Sequence, residues 1–181
     1  AANFLTRDKT FESLIPEEAY KGVGSWKAGN YYIATGHSIA VDSLGETKGK
    51  RTEQSIAEGN AKSRIIQEAA LSKDASFDTE TFDVEADIQG FQSAATYRLK
   101  NEEGLFLVGL APVEKVRVKV SFNPKKARLH AFALFKAGQF KKASAAFALL
   151  TQKGVQDKET AAYAHAAGWH VNLESGIRGD A

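Results

Sequence analysis

Strands come first in this chain and helices last, an order that predicts an α+β fold: an antiparallel sheet with one packed helix, followed by a three-helix, repeat-like C-terminal module. Three observations carry that expectation. Between Tyr31 and Phe122 four stretches read as strands, through β-branched and aromatic content, alternation or a run apolar on both faces, interrupted after the first by one helical stretch. From Asn123 onward the period is helical, and Gly138 and Gly154 divide it into three. The composition, 43% hydrophobic and 25% charged over 181 residues, is that of a globular chain long enough to bury a full core without staples.

The first 30 residues are mixed and turn-rich. Pro16-Glu17-Glu18 reads as the first turn of a short helix, where the missing proline N–H is harmless, and Gly22, Gly24 and Gly29 interrupt any regular pattern. They are expected to form an N-terminal arm with one short helix. From Tyr31 to Val41 aromatic and β-branched residues predict a strand, with Gly36 marking a bulge or a close backbone approach. A Gly- and Lys-rich loop, Gly45 to Arg51, follows. Thr52 then caps a helix running to about Ser72, with Glu53 in its first turn and a buried stripe of Ile56, Ala57, Ala61, Ile65 and Ala69.

Between Phe82 and Leu99 the alternation changes phase. Val84, Ala86 and Ile88 share one parity, and Phe91, Ala95, Tyr97 and Leu99 the other. A period of two cannot slip without an extra residue, so a β-bulge or a bend into a second strand is expected at Gln89-Gly90. Asn101 to Gly104 forms a hairpin turn, Leu105 to Ala111 is apolar on both faces and predicts a central strand, and Val116, Val118, Val120 and Phe122 alternate with Lys115, Arg117 and Lys119. Asn123-Pro124 ends the sheet and opens the helices, expected near 124–137, 139–153 and 157–175, the last capped by Asp157. The predicted organisation is an arm over 1–30, an α+β domain over 31–122 and a helical module over 123–181.

Catalytic chemistry finds little support. With no cysteine, a thiol mechanism is excluded, and serines and histidines are too scattered to nominate a nucleophile and base. His165 and His170 are five residues apart and face different directions on a helix, so neither they nor His37 and His130 make a metal motif, and no cofactor is expected. Asp83, Glu85 and Asp87 share one face of a strand, which can suggest a cation site; opposition to Lys115, Arg117 and Lys119 in a solvated charge ladder is the preferred reading. The loop ending Lys48-Gly49-Lys50-Arg51 lacks the glycine framework and the Lys-Ser/Thr ending of a phosphate loop. Nucleic-acid binding is not expected of a net charge of +2 without interleaved surface aromatics, and no apolar run approaches the ~20 residues of a membrane span.

The chain contains no Met and opens Ala1-Ala2-Asn3, a start expected of a product from which a leading segment is removed. A small-residue start is what signal peptidase leaves, as would trimming, and the expectation is export to the periplasm or beyond the cell.

The richest pattern is Ala127 to Leu150, where Ala131, Leu134, Gly138, Phe140, Ala143 and Phe147 place small residues where two helices touch and large ones where they interlock. This segment resembles one tetratricopeptide repeat, departing from it at Ala127, Leu150 and Val155, where that family has Trp, Ala and Pro. A single repeat cannot bury its own face, so the resemblance implies packing on the third helix, the sheet domain or another chain. Residues 30 to 122, through Ala34-Thr35-Gly36, the helix with Ala57 and Ala61 and the meander with a Gly turn, resemble the small α+β domain of bacterial envelope lipoproteins and flagellar outer-ring proteins. The lipidated cysteine of the lipoproteins is missing. That resemblance implies a structural or adaptor role in the cell envelope.

The leading expectation is therefore a non-enzymatic structural or adaptor subunit that contacts a protein partner or copies of itself. Its contact residues would be Phe132, Phe135, Phe140, Phe147 and Trp169, with Lys125, Lys126, Lys141 and Lys142 steering association. On the third helix Ala162, Ala166, Trp169 and Leu173 form a stripe for helix contact, and the helix over 124–137, apolar almost all round, is expected to be buried on two sides. Lys125, Lys126 and Arg128 crowd a helix N-terminus, where cations oppose the dipole, so compensation is expected from an acidic partner, lipid headgroups or water. The alternative is a small-ligand carrier or enzyme with a pocket between sheet and helices near Trp26, Tyr31, Tyr32 and His37; a membrane-surface or polyanion binder ranks third.

Overall fold

The computed structural model describes residues 1–39 and 52–177. The Gly45 to Arg51 loop and the end of the strand expected to reach Val41 lie outside the described residues. In chain order the elements are β1 (Ala2–Arg7), β2 (Gly24–Ala28), β3 (Tyr31–His37), α1 (Glu53–Lys73), β4 (Phe82–Ile88), β5 (Gln92–Leu99), β6 (Phe106–Pro112), β7 (Val116–Phe122), α2 (Pro124–Lys136), α3 (Phe140–Gln152) and α4 (Lys158–Ile177). The fold is α+β with its helices gathered at the C-terminus, as the element order predicts. Two compact units result, Ala1–Ala75 with Glu85–Lys119, and Ser76–Val84 with Val120–Ala181.

The first unit is built on an antiparallel sheet of order β1-β5-β6-β3-β2. β6 is central, and its alternate residues serve two separate cores. Phe106, Val108 and Leu110 join Ile33, Tyr97, Ile15 and Ala19 on one face; Leu107 and Ala111 join Tyr32, Ala34 and the α1 stripe of Ala57, Ala61, Ile65 and Ala69 on the other. Ile56 of the expected stripe is only half-buried. α1 lies close because its early turns are alanine and because β3 offers Gly36: a Cβ there would run into the Ala57 carbonyl and the Ala61 amide. Gly36 is thus a close approach and not a bulge.

The opposite face is closed by residues 9–20, held by two buried hydroxyls. Thr35 Oγ1 donates to the Ala19 carbonyl (2.8 Å), as does the Tyr97 hydroxyl (2.7 Å), which also accepts from the Gly22 N–H (3.0 Å). Burial pushes the Tyr97 phenol up to about 12.

Residues 1–30 differ from the expected arm, because they supply both edges of the sheet. Phe4, Thr6 and Trp26 are strand formers but stand among Asn, Gly, Ser, Lys and Ala in short segments, and pairing with β5 and β3 makes those segments strands. One signal was there to be read: Gly29-Asn30 is a two-residue hairpin loop between β2 and β3, with Gly29 at φ 57°.

The phase change after Ile88 is a bend. Gly90 adopts φ 71°, β4 pairs with β7 in a separate two-stranded sheet, and β5 joins the large one. A bulge does occur, but at Ala94, where the β5–β6 register skips and turns two successive alanines into one core. β4 and β7 carry the chain across the boundary between the units.

In the second unit Asn123 caps α2, its side chain accepting from the Lys126 N–H at 3.1 Å. α2 and α3 end on glycines with positive φ, Gly138 at 75° and Gly154 at 84°, and backbone bonds from Gln139 to Leu134 and from Val155 to Leu150 recapture the last carbonyls. Asp157 caps α4 through the Thr160 N–H (2.7 Å) and hydroxyl (2.8 Å). The core consists of Ala127, Ala131, Ala143, Phe147, Leu150 and Ala167.

Candidate functional site

At 100° per residue, α4 turns Thr160, Tyr163, Ala164, Ala167 and His170 to one side. Those residues meet the other helices. Thr160 and Ala167 are buried, Tyr163 sets its ring edge-on to Phe132 (4.8 Å) and Phe135 (5.1 Å), and His170 stacks on Phe140 at 4.0 Å. The stripe of Ala162, Ala166, Trp169 and Leu173, expected to make a helix contact, therefore points away from α2 and α3. Trp169 is 57% and Leu173 46% exposed, Ala162 is exposed and Ala166 half-buried. Both faces of α4 are apolar or small, so periodicity could not rank them. The rings of Phe132, Phe135 and Phe140 are met by Tyr163 and His170 of the inner face. From Thr160 through Leu173 the helix holds no Asp, Glu, Lys or Arg.

The expected contact residues fall into three groups. Phe147 is 1% exposed and belongs to the core. Phe132, Phe135 and Phe140 are half-buried and occupied with one another, with Tyr163 and with His170. Trp169, Lys125, Lys141 and Lys142 stand exposed. Lys126 is spoken for: its ammonium donates to the Phe82 carbonyl (3.0 Å) and lies 3.9 Å from Asp83. Nor is α2 buried on two sides as expected, for Leu129 is 64% exposed and Ala133 is exposed on its outer face.

Two of the first-turn cations of α2 find their compensation within the chain. Arg128 donates to Thr160 Oγ1 (3.0 Å) and to Glu159 (2.7 Å), lies 3.5 Å from Asp157 and covers the Phe132 ring at 5.1 Å. The Asp157 carboxyl is held below its ordinary range, first by the Thr160 N–H, then by the Thr160 hydroxyl and the Arg128 charge. These bonds lock the start of α4 against α2.

The histidines serve structure. His37 stacks on Phe106 at 4.1 Å and hydrogen-bonds the Glu103 carbonyl (2.6 Å), and His130 faces Glu80 at 3.8 Å. Trp26, Tyr31, Tyr32 and His37 do not share one face of the sheet: Tyr32 is buried against the α1 side, and Trp26 and Tyr31 pack on the other core. Sequence reasoning missed a groove of about 820 Å³ along β1, lined by Phe4, Ile15, Tyr20 and Leu99 with Arg7, Glu12, Glu17 and Lys21 at its rim. A register skip at Leu5 puts Arg7 on the same side as Phe4, over whose ring it sits at 4.4 Å while paired to Glu12 at 2.8 Å. Its charge is satisfied within the groove.

Asp83, Glu85 and Asp87 are exposed on β4 beside β7. Among the described residues no group of three carboxylates or imidazoles is placed to hold an ion, and no ion pair joins these acids to Lys115, Arg117 or Lys119. Asp83 instead accepts from the Asn123 amide at 2.9 Å. No described helix is long and apolar enough to cross a membrane. Comparison with protein-family models, with curated proteins and with solved structures finds no match to this chain.

Proposed function

We propose that this chain is a non-enzymatic structural or adaptor subunit of a bacterial envelope or secreted assembly, working through protein–protein contact. The observation that carries the reading is the outward stripe of α4: a tryptophan more than half exposed beside an exposed leucine, on a helix face without formal charge. Helices apolar all round belong in interiors, and a protruding tryptophan ringed by small residues is the anatomy of a contact hot spot. Lys125, Lys141 and Lys142 steer the approach of the partner, raising association rate more than affinity.

Native mass spectrometry of material taken from its source, with sedimentation at micromolar concentration, tests this function. An assembly or a stoichiometric co-purifying protein, lost in Trp169→Asp, is expected. A strictly monomeric particle with no companion overturns the proposal.

A further inference from the structure

The outward stripe of α4 has a property that selects its occupant. Its four members are spaced by four, three and four residues, so the spacing reads the same in either direction, while the sizes run small, small, large, large. Laid antiparallel on a second α4 about a two-fold axis, Ala162 faces Leu173 and Ala166 faces Trp169, so each large side chain meets a small one at both ends. A parallel pairing would set Trp169 against Trp169 and leave alanine facing alanine.

Charge supports the same arrangement. The stripe carries none between Thr160 and Leu173, so two copies bring no like charges together. Lys158, exposed one turn before Ala162, falls beside the C-terminal turn of the opposing helix, where the helix dipole favours a cation. Trp169, Leu173 and Ala162, with the exposed Ala161, His165 and Asn172 at the edge of the stripe, can hide at most about 500 Å² per copy and ~1,000 Å² in all, the lower limit of a specific interface.

Resting on the contact role proposed above, we propose that the occupant of the α4 face is a second copy of this chain, paired antiparallel through α4 as a weak two-fold dimer. Isologous contacts of this kind are the commonest route to closed assembly.

The natural absence of cysteine provides a direct test. Residues 162 and 173 of one helix are ~16 Å apart, too far for an internal disulfide. The double variant A162C/L173C is expected to oxidise to a covalent dimer at least about tenfold faster than either single variant, because only 162-to-173 pairs face each other across the axis. Wild type is expected to pass from monomer toward dimer between about 10 and 500 µM, as suits an interface of this size, and Trp169→Glu to weaken that transition at least tenfold with an unchanged melting temperature. Single variants that cross-link as fast as the double, or a wild type monomeric throughout that range, overturn the self-pairing. In the second case a stoichiometric companion in source material leaves the broader contact role standing, and its absence removes both.

Discussion

Gly36 and Tyr97 show how much one residue can decide. At Gly36 the backbone conformation is ordinary, so the demand for glycine comes wholly from space: a methyl group would meet the α1 backbone, which cannot rotate away as a side chain can. Gly36→Ala is expected to cost about 3 kcal/mol, read as a lowered urea midpoint with an unchanged slope. The sequence announced that Gly36 was special but not why, because the atoms it must clear belong to Ala57 and Ala61, some twenty residues further on. Tyr97 is a second case. Its phenol is neutral when folded and ionises near 12 instead of 10, so the stability it confers is complete below pH 10 and is lost as pH rises toward 12. Tyr97→Phe is expected to flatten that alkaline limb and to cost about 1–2 kcal/mol at neutral pH, where it strands the Gly22 N–H; denaturant titrations across pH 7–12 check both.

At the scale of elements, ends were more legible than faces. The caps Thr52, Asn123 and Asp157 and the stops at Gly138 and Gly154 all stand where local chemistry placed them. Helix ends are settled by bonds within a few residues. For Gly138 the space around a new Cβ is open and only the positive φ objects, so Gly138→Ala should cost about 1 kcal/mol, well short of Gly36→Ala in the same urea assay. The depressed carboxyl of Asp157 adds stability that is full above its ordinary value of 3.8 and is lost as pH falls through the lower folded value. Asp157→Asn should therefore remove part of the acid-induced fall in the melting temperature and leave the alkaline limb alone. Faces were harder. α4 carries two apolar sides, and the one with the strongest 4-3-4 spacing proved to be the one its neighbours leave uncovered. The edge strand β1 was unreadable for a related reason, since it is completed by β5, some ninety residues further on, whereas β2 pairs with its immediate neighbour β3 across the Gly29-Asn30 turn.

For the whole molecule, the pattern of exposure separates residues that hold the fold from those available for contact. Phe147→Ala empties a buried site and should cost about 4 kcal/mol, whereas Trp169→Ala should shift stability by less than about 0.5 kcal/mol while removing the contact described above. Thermal melts set beside sedimentation distinguish the two. The class of fold, the single packed helix, the buried central strand, a break in the alternation after Ile88 and the three C-terminal helices follow from sequence alone, because period, capping residues and glycines act over one or two turns of chain. Which strands close the sheet edges, where Lys126 and Arg128 find their partners and which side of α4 meets solvent were decided only by tertiary structure. Each of those outcomes is a competition between surfaces of similar hydrophobicity, and it is settled by which distant residues arrive to cover them.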